Sequence, residues 1–109
     1  MPNYLKNNVI LVRYLFSDLS DSKVRPAIVI NTKHPSQDIL IVPLTSKTNS
    51  LLPGEFILVD WEAAGLNVPS AVKRGMYTVQ QNFVIKIIAQ LQQVDTEKLE
   101  DSLKGWLGL

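Results

Sequence analysis

Seven short runs of β-branched and apolar residues, each closed off by turn-forming residues, constrain this chain more than any other feature. They read "VILVRYLF" (9–16), "AIVIN" (27–31), "ILIVPL" (39–44), "FILVD" (56–60), "SAVKRG" (70–75), "MYTVQ" (76–80) and "VIKIIAQL" (84–91). Val and Ile are stiff at χ1 and fit a pleated surface better than a helix. Between the runs stand "SDLSDSK", "KHPSQD", "KTNSLLPGE" and "EAAGLNVP", rich in the residues that build turns. Many short strands at this spacing predict a small barrel or sandwich. The run "VIKIIAQL" is compatible with a buried helix as well, and its three isoleucines favour the strand. The last stretch, "DTEKLEDSLKGWLGL", changes period. Leu99, Leu103, Trp106 and Leu107 fall at i, i+4, i+7 and i+8, one stripe of a helix. Asp95 or Thr96 is placed to cap its start, Glu97 suits its first turn, and Gly105 weakens its end. The expectation is a single domain over 1–109, mainly β, with a C-terminal helix packed on a barrel.

Composition then removes classes of function. The chain has no cysteine and one histidine, His34, so disulfides, thiolate metal sites and paired-histidine mechanisms are excluded. No apolar run approaches the ~18 residues of a membrane span, and "MPNYLKNNVI" lacks the basic start and apolar core of a leader. A soluble cytoplasmic protein with no membrane partner is expected. The formal charge of +1 is unevenly spread. Residues 95–109 hold four acids against two lysines, which leaves nine basic and six acidic groups, a balance of +3, in the rest. That is a mild lean towards an anionic partner, well short of a basic stripe.

Two signals lie at the ends of expected strands. In "DSKVRPAIVINTK" Arg25 stands just before Pro26 and an apolar run, and "VPLTSK" puts Thr45 and Ser46 just past another. A guanidinium pairs bidentately with phosphate, and adjacent hydroxyls donate to phosphate oxygens. On residue type alone the plainer reading stands first, with Arg25 a solvated charge and Thr45 and Ser46 turn formers. His34, beside Pro35 in "TKHPSQD", reads as a surface imidazole before a catalytic base. Trp61, in "VDWEAAG", reads as a rim or partner contact before a platform for a base. Lys73 and Arg74 point to opposite faces if their run is a strand. Tyr77 and Phe83 read as packing or dimer contacts.

The ordered series "FSDLSDSKVRPAIVI", "ILIVPLTSK" and "GLNVPSAVKRGMYTV", followed by a helix ending "LGL", resembles the MazF/PemK family of toxin endoribonucleases over nearly the whole chain. "KVRPAIVI" together with "VPLTS" carries the resemblance. It implies a small SH3-like barrel of the CcdB/MazF type with a C-terminal α-helix. It also implies a homodimer that cuts single-stranded RNA with no metal or other cofactor, and a small acidic antitoxin as partner. DNA would be engaged only through that antitoxin. On this resemblance Arg25 and Thr45 are the catalytic positions. Ser46 is the neighbouring hydroxyl that some members carry. Asp18 matches an acidic position of the "FSDLS" turn, and Lys73 stands where some relatives have a basic residue near the scissile phosphate. Lys23 is grouped with Asp18, Ser46 and Lys73 as an RNA contact.

The chemistry implied suits these residue types. A ribose 2′-OH attacks its own phosphate and leaves a 2′,3′-cyclic phosphate and a 5′-OH, and a guanidinium with hydroxyl donors stabilises the charge that builds on the phosphoryl oxygens. The general base stays open, because arginine holds its proton above pH ~12; Asp18, Asp21 or no residue fills the role. The chain departs from the family at Asn7 and Asn8, where Gly and an acid are usual, and at Gly75 and Ser20, where branches of the family carry acids. An inactive or weakened RNA-binding member and a gyrase-directed toxin, which shares this fold, are the alternatives.

Overall fold

A computed structural model describes residues 4–15, 22–31 and 34–109. Strands β1 (Asn8–Leu15), β2 (Ser22–Val29) and β3 (Ile39–Thr45) form its centre. Short strands β4 (Phe56–Ile57), β5 (Ala71–Val72) and β6 (Tyr77–Val79) follow. A 3-10 turn at Gln81–Phe83 leads into β7 (Val84–Gln90), and helix α1 (Gln93–Leu107) closes the chain. The antiparallel ladder runs β4-β5-β3-β2-β1-β7, with β6 also paired to β3. The expected mainly β barrel with one C-terminal helix is the fold observed, its ladder open-ended at β4 and β7. The isoleucine-rich run over 84–90 is a strand, and no helix among the described residues is long and apolar enough to cross a membrane.

Over 8–12, 27–29 and 39–44 the three central strands are largely buried on both faces, which is why these runs read as continuously apolar and do not alternate. On one face Val9, Ile28, Val42, Leu44 and Val72 pack with Leu58, Leu91 and Leu99. On the other, Ile10, Val12, Ala27, Val29, Ile39 and Ile41 form a second cluster, against which Phe83 packs. Helix α1 covers the first cluster through Leu99, Leu103 and Trp106; Leu107, expected on the buried stripe, is half exposed. Trp61 also packs on the first cluster and is therefore a core-edge residue. β1 starts from Asn7, whose φ of 74° lies in the left-handed region that Asn tolerates better than most residues. That is the backbone role a glycine would fill at this position.

Two carboxylates tie distant segments together. Asp95 does not cap its own helix, whose N-cap is Gln92. Fully buried, it accepts hydrogen bonds from the Val59 N–H (2.8 Å) and the Asp60 N–H (2.9 Å), closing the turn after β4. Glu55 accepts from the Leu52 N–H (2.7 Å) and the Arg74 N–H (2.8 Å). Those N–H groups, the Arg74 one foremost, hold the Glu55 carboxyl below the usual range, helped by the charges of Lys73 and Arg74. The loop between β3 and β4 is further fixed by α1. Ser102 Oγ donates to the Gly54 carbonyl (2.7 Å) and Trp106 Nε1 to the Pro53 carbonyl (3.0 Å). Gly54 combines φ of 87° with so close an approach that a Cβ would collide with the Trp106 indole. Gly108, also left-handed at φ 72°, ends the helix by donating its N–H to the Lys104 carbonyl.

Asp95→Ala leaves two backbone donors without their acceptor and is expected to cost about 2–4 kcal/mol, with Asp95→Asn losing less; urea unfolding at neutral pH measures both. Because the folded pKa of Glu55 is lowered, its contribution is complete above the ordinary glutamate value near pH ~4.3 and disappears as pH falls through the lowered value. Glu55→Gln should therefore flatten the dependence of the denaturation midpoint on pH in that acid window and leave the shape above it unchanged.

Candidate phosphate-binding groove

The site begins with a missing backbone donor. The Ile30 N–H donates to the Leu40 carbonyl (3.0 Å), so the even-numbered residues of β2 turn their backbone groups towards β3. Pro26 belongs to that series and has no N–H to give. The β2–β3 ladder accordingly stops at Ala27↔Pro43. Continued by two residues, its register would set Pro26 opposite Leu44 and Arg25 opposite Thr45. Pro43 marks a second break on the far side of β3. Before it, Ile39–Ile41 pair with β6; after it, Leu44 and Thr45 pair with β5, and the Pro43 carbonyl accepts from the Lys73 N–H (3.0 Å). Where the β2–β3 ladder ends, a groove of about 490 Å³ lies beside the ends of the two strands.

Arg25, Thr45 and Ser46 all line this groove. Leu11, Pro26 and Leu44 lie along it, with Leu66 and Val68 of the loop before β5 and Ile88 of β7. Gly65, at φ 82°, lets that loop lie against β7, since a Cβ there would overlap the Ile88 side chain. Asn67, Ser70, Lys47 and Lys86 complete the polar lining. Thr45 Oγ1 accepts from the Lys47 N–H (3.1 Å), which orients the hydroxyl and leaves its proton for another acceptor. Ser70 is buried and spends its hydroxyl proton on the Val68 carbonyl (3.0 Å). Arg25 is exposed and makes no ion pair among the described residues. Among the described residues the groove thus presents three cations, Arg25, Lys47 and Lys86, and no lining carboxylate or imidazole. In such a cleft the field favours an anion with several negatively charged oxygens.

The other expected residues fall elsewhere. Lys73 does not line the groove; it is exposed beyond the end of β5, close enough to Glu55 for its charge to act on that carboxyl. Arg74 follows it, also exposed, so the opposed pair expected of a longer strand is absent because β5 spans only Ala71–Val72. Asp18 and Asp21 lie outside the described residues, as does the side chain of Lys23. His34 is exposed and accepts the Ser36 N–H on Nδ1 (3.0 Å), a turn-closing contact. Among the described residues no three His, Asp or Glu side chains gather as metal ligands. Lys47 and Lys86 are the residues sequence reasoning passed over. A lone lysine inside the isoleucine run "VIKIIAQ" was the available signal for the second.

A family profile described as PemK-like, MazF-like toxin of type II toxin-antitoxin system matches residues 8–107. No match is found among curated protein sequences. Among solved structures the chain is similar to an endoribonuclease in complex with its cognate antitoxin from a mycobacterial species. The identity is 16% and the TM-score 0.74, covering 97% of this chain and 96% of that one. It is similar to the Mycobacterium tuberculosis toxin MazF-mt6 at 20% identity and TM-score 0.73, covering 94% and 97%. It is similar also to a chain of the MazE-MazF structure from Deinococcus radiodurans at 12% identity and TM-score 0.80, covering 100% and 99%. At these identities the structural likeness speaks for the fold, and the profile match speaks for descent. The chain belongs to the PemK-like, MazF-like family of toxins of type II toxin–antitoxin systems.

Proposed function

We propose that the protein is a metal-independent endoribonuclease that cuts single-stranded RNA, mRNA above all, and so halts translation and growth. The observation that carries this reading is the meeting of Arg25 and Thr45 at one cationic groove where two strands part. In the reaction, the ribose 2′-oxygen bonds to phosphorus, the bond from phosphorus to the 5′-oxygen breaks, and the 2′-proton leaves to a base or to water. The products are a 2′,3′-cyclic phosphate and a 5′-OH, whose oxygen gains a proton. In this reading Arg25 is the main electrostatic group on the phosphoryl oxygens and donates the proton to the departing oxygen. Thr45, its hydroxyl held by the Lys47 N–H, donates to a second oxygen, and Ser46 stands beside it. Donors fixed before the charge develops contribute most to such a reaction.

The partners follow from the same surface. A cationic groove with no carboxylate in its described lining suits a small acidic antitoxin whose flexible segment orders on binding. The toxin acts as a homodimer in the cytoplasm and reaches DNA only through that antitoxin. A second reading, an RNA-binding member that does not cut, is favoured by one observation: the described walls of the groove offer no general base.

Incubating the protein with RNA in EDTA and mapping the new ends separates the two. The nuclease leaves 5′-OH ends in the presence of chelator; binding without new ends supports the second reading. Arg25→Ala is expected to slow cleavage by about a hundredfold to a thousandfold. Thr45→Val should slow it by about tenfold, each measured in single turnover with the fold checked by circular dichroism.

A further inference from the structure

The sheet lays out the groove as one row. β1 lies between β2 and β7, and Leu11 is opposite Pro26 on one side and opposite Lys86 on the other. Residues directly opposite in a ladder present their side chains on the same face. Pro26, Leu11 and Lys86 therefore stand abreast, and all three line the groove. Two strand spacings separate β2 from β7, about 10 Å. Pro26 ends this row on the β2 side and Lys86 on the β7 side, with Leu11 between them, and Arg25 and Thr45 line the same groove.

The position of Lys86 is built by two irregularities. The β1–β7 ladder slips between Val9 and Ile10 and again between Leu11 and Val12, leaving Ile88 and Ile85 as extra residues in β7. Such bulges re-aim the side chains beside them. Here they bracket Lys86, and both Lys86 and Ile88 line the groove. Among the described residues Lys86 has no ion-pair partner.

We propose that Lys86 is a second phosphate anchor, holding a backbone phosphate next to the one engaged by Arg25, so that one nucleotide lies across the Leu11 and Pro26 floor between two cations. The proposal rests on RNA being the ligand of the groove. Lys86 serves binding and positioning; it does not act on the breaking bond.

The test is the salt dependence of binding to a 2′-O-methylated oligoribonucleotide, which cannot be cleaved. Each phosphate neutralised on a single strand contributes about 0.7 to the slope of log K against log salt. Lys86→Gln is expected to make the slope shallower by about 0.7, Lys86→Arg to keep it, and Lys104→Gln, on the helix, to leave it alone. With cleavable RNA, Lys86→Gln should raise the RNA concentration needed for half-maximal cleavage, and Lys104→Gln should leave both that concentration and the saturated rate unchanged. An unchanged slope overturns the proposal and leaves Lys86 as a charge guarding an edge strand. A saturated rate that falls without a change in slope overturns it as well, by moving Lys86 into the reaction. If the parent protein binds but makes no new RNA ends while Lys86→Gln still reduces the slope, the nuclease reading fails and the anchor stands.

Discussion

The β2–β3 ladder governs both the core of this molecule and its groove, because it is made where it is needed and ends where a donor is lacking. Three pairs, from Val29↔Ile41 to Ala27↔Pro43, join the strands that both core clusters share. One residue further along, Pro26 cannot donate to β3, and on its far side β3 exchanges β6 for β5. A proline inside a central strand normally counts against that strand. Here the missing bond falls at the point of divergence, where a donor from β2 would have no acceptor to meet. Beyond that point the buried Leu44 and the half-buried Pro26 line the groove together with Thr45 and Arg25.

Polar groups around this frame are divided between holding and binding. Asp95, Glu55 and Ser70 spend their side chains on backbone partners and lock the turn after β4, the loop before it and the approach to β5. Arg25, Lys47 and Lys86 spend theirs on nothing within the described protein. Three cations around one concavity with no counter-charge among the described residues repel one another, and a polyanion relieves that repulsion.

Much of this was legible from residue order. The β-branched runs anticipated seven strands within a few residues, and the stripe from Leu99 to Trp106 anticipated the helix and its packing face. Arg25 and Thr45 could be paired because the motifs around them, "KVRPAIVI" and "VPLTS", are local. What escaped was set by tertiary neighbours. Asp95 looks like a cap until Val59 and Asp60 arrive from 36 and 35 residues away. Lys73 looks like a groove residue until β5 turns out to be two residues long. Lys86 is visible only once the register of β7 against β1 is known, since two bulges decide which side chains face inward.

The tie between α1 and the sheet also bears on how the protein comes into being on the ribosome. The fifteen-residue helix lies at the end of the chain, yet its Leu99 sits inside the first core cluster and its Asp95 closes a turn far upstream. Neither contact can form until those residues have left the exit tunnel, so the strands made before them carry the first core cluster uncovered. For that interval the nascent chain holds an apolar face open to chaperones.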